Sequence, residues 1–264
     1  MNHLLKLLDL SKEEILGILY LADQLKYELV EKGKSQFAGP ELAGKTLGMI
    51  FQKASTRTRV SFETGIYQLG GYGLFLSSHD LQIGRGEPVE DTARVLSRYL
   101  DGIMIRTFDQ EEVETLARVG SIPVINGLTD FCHPCQVLAD LMTVREHKGI
   151  LEGLKMAYIG DGNNMANSLI VGGLKTGMRV AAACPDGYRP AKEVLDFTAD
   201  FGDAFTLTGD CLEAAAGADV IFTDVWASMG QEGEAEKRRA AFKGYQVNGA
   251  LLAAANPGCM VQHC

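Results

Sequence analysis

The amino-acid sequence predicts an α/β fold made of two doubly wound parallel-sheet domains. Short apolar runs such as "TLGMIF" and "MAYIG" alternate with segments of helical periodicity along the chain, which favours parallel strands joined by right-handed helical crossovers. The alternation starts again after "KGILEGLK". We therefore predict a first domain over residues 1–148 and a second over residues 149–264, joined near a helix from Pro134 to His147.

The predicted elements follow in order. Ser11 and Glu14 have the spacing of a capping box and begin a helix that runs to about Glu31. The strands of the first half are "TLGMIF", "GLFL", "GIMI" and "PVIN", and those of the second half are "MAYIG", "MRVAAA", "FTL", "DVIFTD" and "CMVQHC". Helices of the first half are predicted from Thr58 to Leu69, from Asp91, near Gln110 and from Pro134.

Composition limits the kind of partner. The chain has 264 residues, 46% of them hydrophobic, and a formal net charge of -9, which indicates a globular protein that does not favour nucleic acid or an anionic membrane. It has no apolar run of about 18 residues and no secretory or transit signal at "MNHLLKLLDLSKEE". We expect a cytoplasmic protein whose anionic ligands are small.

The six cysteines are expected to be reduced. Cys132 and Cys135 in "CHPC" have the spacing of a redox or zinc motif. A redox motif would stand near the start of a βαβ unit, and zinc would need further ligands, for which only His263 and Cys264 offer themselves. We therefore expect no metal site.

Candidate functional residues follow the predicted strands, because ligands of open parallel sheets bind outside the carboxyl ends of the strands. These positions hold Ser55, Thr56, Arg57, Arg106, His133, Asp161, Asn164, Asp224 and Cys264.

The segment "STRTR" at residues 55 to 59 predicts an anion site. A hydroxyl-rich turn before a helix presents free N–H groups and the positive end of the helix dipole. Arg57 adds a fork suited to phosphate. Arg59 lies about 200° away on the helix and is paired instead with Glu63. The alternative is a capped helix with ordinary surface arginines.

The segment "CHPCQ" is a candidate for binding a carbonyl group. Pro134 at a first helical position leaves His133 at the helix mouth, with Gln136 one turn along. An imidazole and an amide aimed at one group could polarise its oxygen and hold its NH₂. The alternative is a histidine that caps the helix or packs in the core.

The segments "GDGNN" and "DVWASMG" follow two strands of the second half. The first is similar to a dinucleotide fingerprint, but Met165 stands five residues after Gly160, where the third glycine would be. Asn163 and Asn164 instead suit a carboxylate. Asp224, with Ser228 close by, suits an ammonium group. The alternative for Ser228 is a position in an ordinary surface loop.

Together these segments resemble the ornithine carbamoyltransferase family. "STRTR" is similar to its carbamoyl-phosphate motif, "HPCQ" to its carbamoyl motif, "DVWASMG" to its ornithine loop and the terminal "HC" to the start of its "HCLP". "GRGEPVEDTARVLSR" and "GDGNN" match in type and order, so the likeness spans nearly the whole chain. Aspartate carbamoyltransferases typically show "HPTQ" and a lysine-bearing loop where this chain has "LQIGRGE".

The resemblance implies transfer of the carbamoyl group of carbamoyl phosphate to the δ-amino group of L-ornithine, with no cofactor. It also implies a carbamoyl-phosphate domain followed by a Rossmann-like ornithine domain. The implied carbamoyl-phosphate residues are Ser55, Thr56, Arg57, Thr58, Gln82, Arg106, His133 and Gln136. The implied ornithine residues are Asn164, Asp224, Ser228 and Met229. The implied catalytic residues are Arg57, Arg106, His133 and Cys264.

By the same resemblance, the chain forms a homotrimer or a multiple of it, and Gln82 reaches into a neighbouring subunit's site. Cys264 would steer the δ-nitrogen. Members of the family continue past "HC" with "LP", an arginine and a helix that packs on the first domain. If the protein itself ends at Cys264, we expect an exposed apolar groove on that domain and poor activity.

Two other functions stay open at this point. A catalytically silent, trimer-forming paralogue would keep the core and lose turnover. A dinucleotide-dependent oxidoreductase would use "GDG" and Asp186. Formation of citrulline and titration with NAD distinguish the three possibilities.

Overall fold

The computed structural model describes residues 2–33, 39, 41–227 and 232–263. The helices of this part are α1 (Lys12–Lys32), α2 (Thr56–Gln68), α3 (Val89–Leu96), α4 (Gln110–Val119), α5 (Pro134–Lys148), α6 (Asn164–Lys175), α7 (Lys192–Thr198), α8 (Cys211–Ala215), α9 (Ala235–Ala241) and α10 (Gly249–Ala254). The strands are β1 (Thr46–Phe51), β2 (Tyr72–Ser77), β3 (Gly102–Arg106), β4 (Val124–Leu128), β5 (Lys155–Ile159), β6 (Arg179–Ala183), β7 (Phe205–Thr208), β8 (Val220–Thr223) and β9 (Met260–His263).

The chain divides into two compact units. The first consists of Met1–Leu10 and Leu16–Cys135, and the second of Ser11–Ile15 and Gln136–Cys264. The chain passes from one unit to the other three times: just before α1, within α1 and within α5. The boundary between residues 148 and 149 stays a prediction.

Each unit contains one parallel sheet, which confirms the predicted fold class. The strand order is β2-β1-β3-β4 in the first unit and β7-β6-β5-β8-β9 in the second, and every pair of neighbouring strands is parallel. In the first sheet Phe51 at the end of β1 is in register with Arg106 at the end of β3. In the second sheet Ile159 at the end of β5 is in register with Thr223 at the end of β8. The carboxyl ends of central strands therefore meet at one edge of each sheet.

The strands are nearly continuous apolar runs because helices cover both faces of a parallel sheet. The core of the first unit is built from branched aliphatic side chains, among them Ile50, Ile105 and Leu116. The core of the second unit is rich in alanine, including Ala157, Ala181, Ala183, Ala214, Ala215 and Ala218. Small side chains let helices approach the sheet closely.

Local signals set most helix starts. The predicted capping box is present, since the Glu14 backbone N–H donates to Ser11 Oγ at 3.1 Å and the Ser11 N–H to Glu14 Oε2 at 3.0 Å. Helix α3 begins at Val89, two residues before the predicted start at Asp91. The reason is that the Pro88 carbonyl already accepts hydrogen bonds from the N–H groups of Asp91 and Thr92.

The surface of the described residues bears on two predictions, the absence of a membrane span and an apolar groove on the first domain. No helix in the described ranges is long and apolar enough to cross a membrane. On α1, Tyr20, Tyr27 and Val30 are exposed. One exposed helix face is not a groove, so the groove expected on the first domain stays a prediction.

Candidate functional site

The turn between β1 and α2 forms the N-terminal mouth of a helix. Ser55 is the N-cap of α2, with its Oγ accepting the Thr58 N–H at 3.2 Å and donating to Thr58 Oγ1 at 3.0 Å. Because Ser55 is the cap, α2 begins at Thr56 and not at the predicted Thr58. Helix N–H groups therefore point out of the strand end where an anion was predicted.

Arg106 is a buried cation at the end of β3. Its side chain reaches the α2 mouth, with Nη1 donating to Thr58 Oγ1 at 3.4 Å, and the residue is only 6% exposed. Its Nε is buried and has no hydrogen-bond partner among the described residues. Burial lowers the pKa of Arg106, and the nearby charge of Arg57 lowers it further. A buried guanidinium beside a second arginine, with a donor that lacks a partner among the described residues, is an arrangement that favours a bound anion.

The two arginines of "STRTR" have different surroundings, as the sequence predicts. Arg59 is paired with Glu63, Nε to Oε1 at 3.0 Å, and its guanidinium lies 3.7 Å from the centre of the Phe75 ring. Arg57 is exposed and close enough to Arg106 to affect its pKa. Only Arg57 therefore adds charge to the cluster around Arg106.

His133 lies directly before α5, which begins at Pro134 as predicted. Burial lowers the pKa of His133 to about 3, and the charge of Arg106 contributes. The imidazole is therefore neutral at neutral pH. A neutral ring can donate a hydrogen bond to an oxygen without bringing a further charge to the two arginines.

The N-terminus of α6 in the second unit is capped by Asn163. Its Oδ1 accepts the N–H groups of Met165 at 2.9 Å and Ala166 at 3.2 Å. Its Nδ2 donates to Asp224 Oδ2 at 2.8 Å. Asn164 is the first residue of α6. The structure thus joins the ends of β5 and β8 through one amide.

Acidic side chains cluster at these strand ends. Asp161 Oδ2 accepts a hydrogen bond from Arg238 Nη1 at 2.7 Å, and the same Nη1 donates to the Trp226 carbonyl at 3.0 Å. Burial raises the pKa of Asp161, and the charge of Asp224 raises it further against the opposing effect of Arg238. Asp161 is thus paired with Arg238, whereas Asp224 accepts its hydrogen bond from Asn163.

Gln136 and Asp140 lie one turn apart on α5. Gln136 Nε2 donates to Asp140 Oδ1 at 2.9 Å. Burial raises the pKa of Asp140 to about 6, opposed by the bond from Gln136 and assisted by the charge of Asp224. The pKa of this buried carboxyl therefore lies closer to neutral pH than that of an ordinary aspartate.

The second glycine of "GDG", Gly162, has a packing explanation. A Cβ on Gly162 would lie 2.2 Å from the carbonyl carbon of Arg189, and the Gly162 N–H donates to the Tyr188 carbonyl at 2.8 Å. At the α6 mouth Asp161 is paired with Arg238, and Asp224 accepts a hydrogen bond from Asn163. The tight contact at Gly162 therefore accounts for this glycine without a dinucleotide.

Both cysteines of "CHPC" lie within hydrogen-bond distance of Asn126. Cys132 Sγ is within hydrogen-bond distance of Asn126 Nδ2, at 3.3 Å, and Cys135 Sγ donates to the Asn126 carbonyl at 3.4 Å. Burial raises the pKa of both thiols to about 12. Both thiols are therefore protonated at neutral pH, whereas the reactive form of a redox cysteine is the thiolate. No group of three or more metal-binding side chains occurs in the described ranges.

Three predicted site residues, Ser228, Met229 and Cys264, lie outside the described residues. Gln82 is exposed at the start of a short 3₁₀ helix, Gln82–Arg85.

Two residues that sequence reasoning missed are Asp140 and Arg238. Asp140 follows Gln136 by four residues, a spacing that could have indicated the pair. Arg238 lies in "AEKRRAA" and is typical of a solvated helix face, so no local signal distinguishes it.

The fold and the strand-end residues define a class of protein with two parallel α/β units, one carrying buried positive charge and the other negative charge. The family model for the carbamoyl-phosphate-binding domain of aspartate/ornithine carbamoyltransferases matches residues 2–146. The model for the aspartate/ornithine-binding domain matches residues 152–264. The chain belongs to the aspartate/ornithine carbamoyltransferase family.

Individual relatives are similar over nearly the whole chain. The chain is 58% identical to the ornithine carbamoyltransferase of Oceanobacillus iheyensis, over 98% of this chain and 81% of the relative. It is 55% identical to that of Pelobacter propionicus, over 100% of this chain and 85% of the relative. The solved ornithine carbamoyltransferase of Pyrococcus furiosus has a TM-score of 0.93 and 50% identity, covering 100% of this chain and 84% of the other.

Proposed function

We propose that this chain transfers the carbamoyl group of carbamoyl phosphate to the δ-amino group of L-ornithine, giving L-citrulline and phosphate. The observation that carries the proposal is the buried guanidinium of Arg106, whose Nε lacks a partner among the described residues and which Arg57 destabilises further. A phosphoryl group at the mouth of α2 would satisfy that donor and neutralise both charges. The family and the named relatives support the same substrate.

The phosphate would be held by the α2 mouth. Ser55, Thr56, Thr58 and the first backbone N–H groups of the helix supply donors, and the two arginines supply charge. His133 and Gln136 would bind the carbamoyl group. The neutral ring of His133 would donate to the carbonyl oxygen, where negative charge develops in the transition state.

Ornithine would be held by the second unit. Asn164 at the α6 terminus would bind the α-carboxylate, and Asp224 the α-ammonium group. The hydrogen bond from Asn163 keeps the Asp224 carboxylate in place. Ser228, Met229 and Cys264 keep the roles implied by the family resemblance, with Cys264 steering the δ-nitrogen.

The reaction follows from these charges. The δ-amine has a reference pKa of about 10.4 and must lose its proton before it attacks. Its nitrogen forms a bond to the carbonyl carbon, the bond from that carbon to the phosphate oxygen breaks, and the nitrogen releases a second proton. Arg57 and Arg106 stabilise the leaving phosphate. The chemistry needs no cofactor.

Assembly and location are part of the proposal. We expect a homotrimer or a multiple of it, in the cytoplasm, in which Gln82 completes a neighbouring subunit's site. The exposed position of Gln82 supports this role. Sedimentation equilibrium measures the assembly. Loss of activity in Gln82→Ala with an unchanged assembly would support the shared site.

One assay tests the function. The purified protein is supplied with carbamoyl phosphate and with ornithine, aspartate or putrescine in turn, and each product is measured. We expect product with ornithine only. Product with aspartate would contradict the choice of substrate, and binding of carbamoyl phosphate without any product would identify a silent paralogue.

A further inference from the structure

The hydrogen bond between Gln136 and Asp140 fixes which way the Gln136 amide points. In the structure Gln136 Nε2 faces Asp140 Oδ1 at 2.9 Å and donates a hydrogen bond to it. This is the orientation that an ionised carboxylate, which only accepts hydrogen bonds, favours. The Oε1 atom of Gln136 is then directed away from Asp140. The amide offers its acceptor, and not its donor, on that side.

The described residues satisfy only one oxygen of the Asp140 carboxylate. The residue is 6% exposed, and its Oδ2 is buried without a hydrogen-bond partner among the described residues. Asp224 is near enough to raise its pKa. A buried carboxylate with one unsatisfied oxygen and a like charge nearby is destabilising, which suggests that Asp140 serves the site.

We propose that Asp140 is a positioning residue that orients the Gln136 amide so that Oε1 accepts a hydrogen bond from the NH₂ of the carbamoyl group. The inference rests on the proposed function, in which Gln136 binds that group. An acceptor at this point distinguishes carbamoyl phosphate from acetyl phosphate, which has a methyl group in place of NH₂. A site built for a hydrogen bond rejects an analogue that lacks the donor.

Asp140→Asn tests the proposal because it keeps the size of the side chain and removes the constraint. An asparagine can present either its oxygen or its NH₂ to Gln136, so the Gln136 amide can rotate and exchange the positions of its oxygen and nitrogen. The measured quantity is selectivity, the inhibition constant of acetyl phosphate divided by the KM for carbamoyl phosphate in the citrulline assay. We expect selectivity to fall at least about tenfold, with Tm unchanged or higher.

The matched control is Asp196→Asn. It makes the same chemical change at an exposed position on α7, where Asp196 is paired with Lys192. Selectivity and turnover should stay at the wild-type level. Gln136→Met is the second variant, because it removes the acceptor itself. It should lower selectivity as much as Asp140→Asn, and the double variant should be no worse than Gln136→Met alone.

Three results would overturn the proposal. They are an Asp140→Asn protein with wild-type selectivity, an Asp140→Asn protein that loses its fold, and additive effects in the double variant. Failure of the proposed function looks different, because the wild-type protein would then form no citrulline. An active wild type with an unaffected Asp140→Asn variant rejects the positioning role alone.

Discussion

Asn163 Nδ2 donates a hydrogen bond to Asp224 Oδ2 at 2.8 Å while Oδ1 of the same side chain caps α6. The cap fixes the direction of the amide, since the backbone N–H groups of Met165 and Ala166 need its oxygen. The NH₂ group is then left for Asp224. The capping of α6 and the orientation of Asp224, which we propose binds ornithine, therefore depend on the single side chain of Asn163.

Asn163→Ala should affect both stability and substrate binding. Loss of the cap lowers the free energy of unfolding by about 1 kcal/mol. Loss of the bond to Asp224 should raise the KM for ornithine at least about tenfold. The control is Asn248→Ala, because Asn248 caps α10 with the same geometry. Urea unfolding should show similar losses for the two variants, and an ornithine KM that rises equally in both would contradict the role of Asn163.

Arg57→Gln should lower kcat by at least about a hundredfold, because Arg57 supplies charge beside Arg106. Arg59→Gln is a matched control two residues along α2, and its partner is Glu63. It should keep turnover within about threefold of wild type, since an exposed pair contributes little. Steady-state citrulline formation measures both. Similar rates in the two variants would remove Arg57 from the mechanism.

His133 should lower the free energy of unfolding at acidic pH. Its folded pKa of about 3 lies below the unfolded value of about 6.5. Below pH 6.5 the unfolded chain therefore binds a proton that the folded chain does not bind. As the pH falls towards 3, this protonation lowers the free energy of the unfolded state relative to the folded state, so the free energy of unfolding decreases. The contribution of His133 to stability is fully present above pH 6.5.

The measurement is urea unfolding at pH 7 and pH 5 for wild type and His133→Gln. The wild type should lose more stability between the two pH values than the variant, since glutamine does not titrate. His147→Gln, at an exposed position of α5, controls for removal of a histidine elsewhere. Equal losses in wild type and His133→Gln would show that the buried imidazole is not the group responsible.

Much of this arrangement could be predicted from sequence because its signals are local. The capping box at Ser11 and Glu14, the start of α5 at Pro134 and the pairing of Arg59 with Glu63 each depend on residues within one helical turn. The alternation of strands and helices predicted parallel sheets, and parallel sheets predict functional residues at the strand ends.

The remaining features depend on tertiary packing. Nothing in "GIMIR" indicates that the Arg106 Nε is buried with no partner in the described part of the chain, because that depends on the approach of α2. The bond of Arg238 to Asp161 joins residues 77 positions apart. The need for glycine at position 162 arises from the backbone of Arg189, which no local pattern shows.

The most direct test of the account is a crystal structure of the protein with carbamoyl phosphate bound. We predict that a phosphoryl oxygen accepts a hydrogen bond from Arg106 Nε and that others accept from the first backbone N–H groups of α2. A ligand bound elsewhere, with Arg106 Nε still lacking a partner, would contradict the central claim.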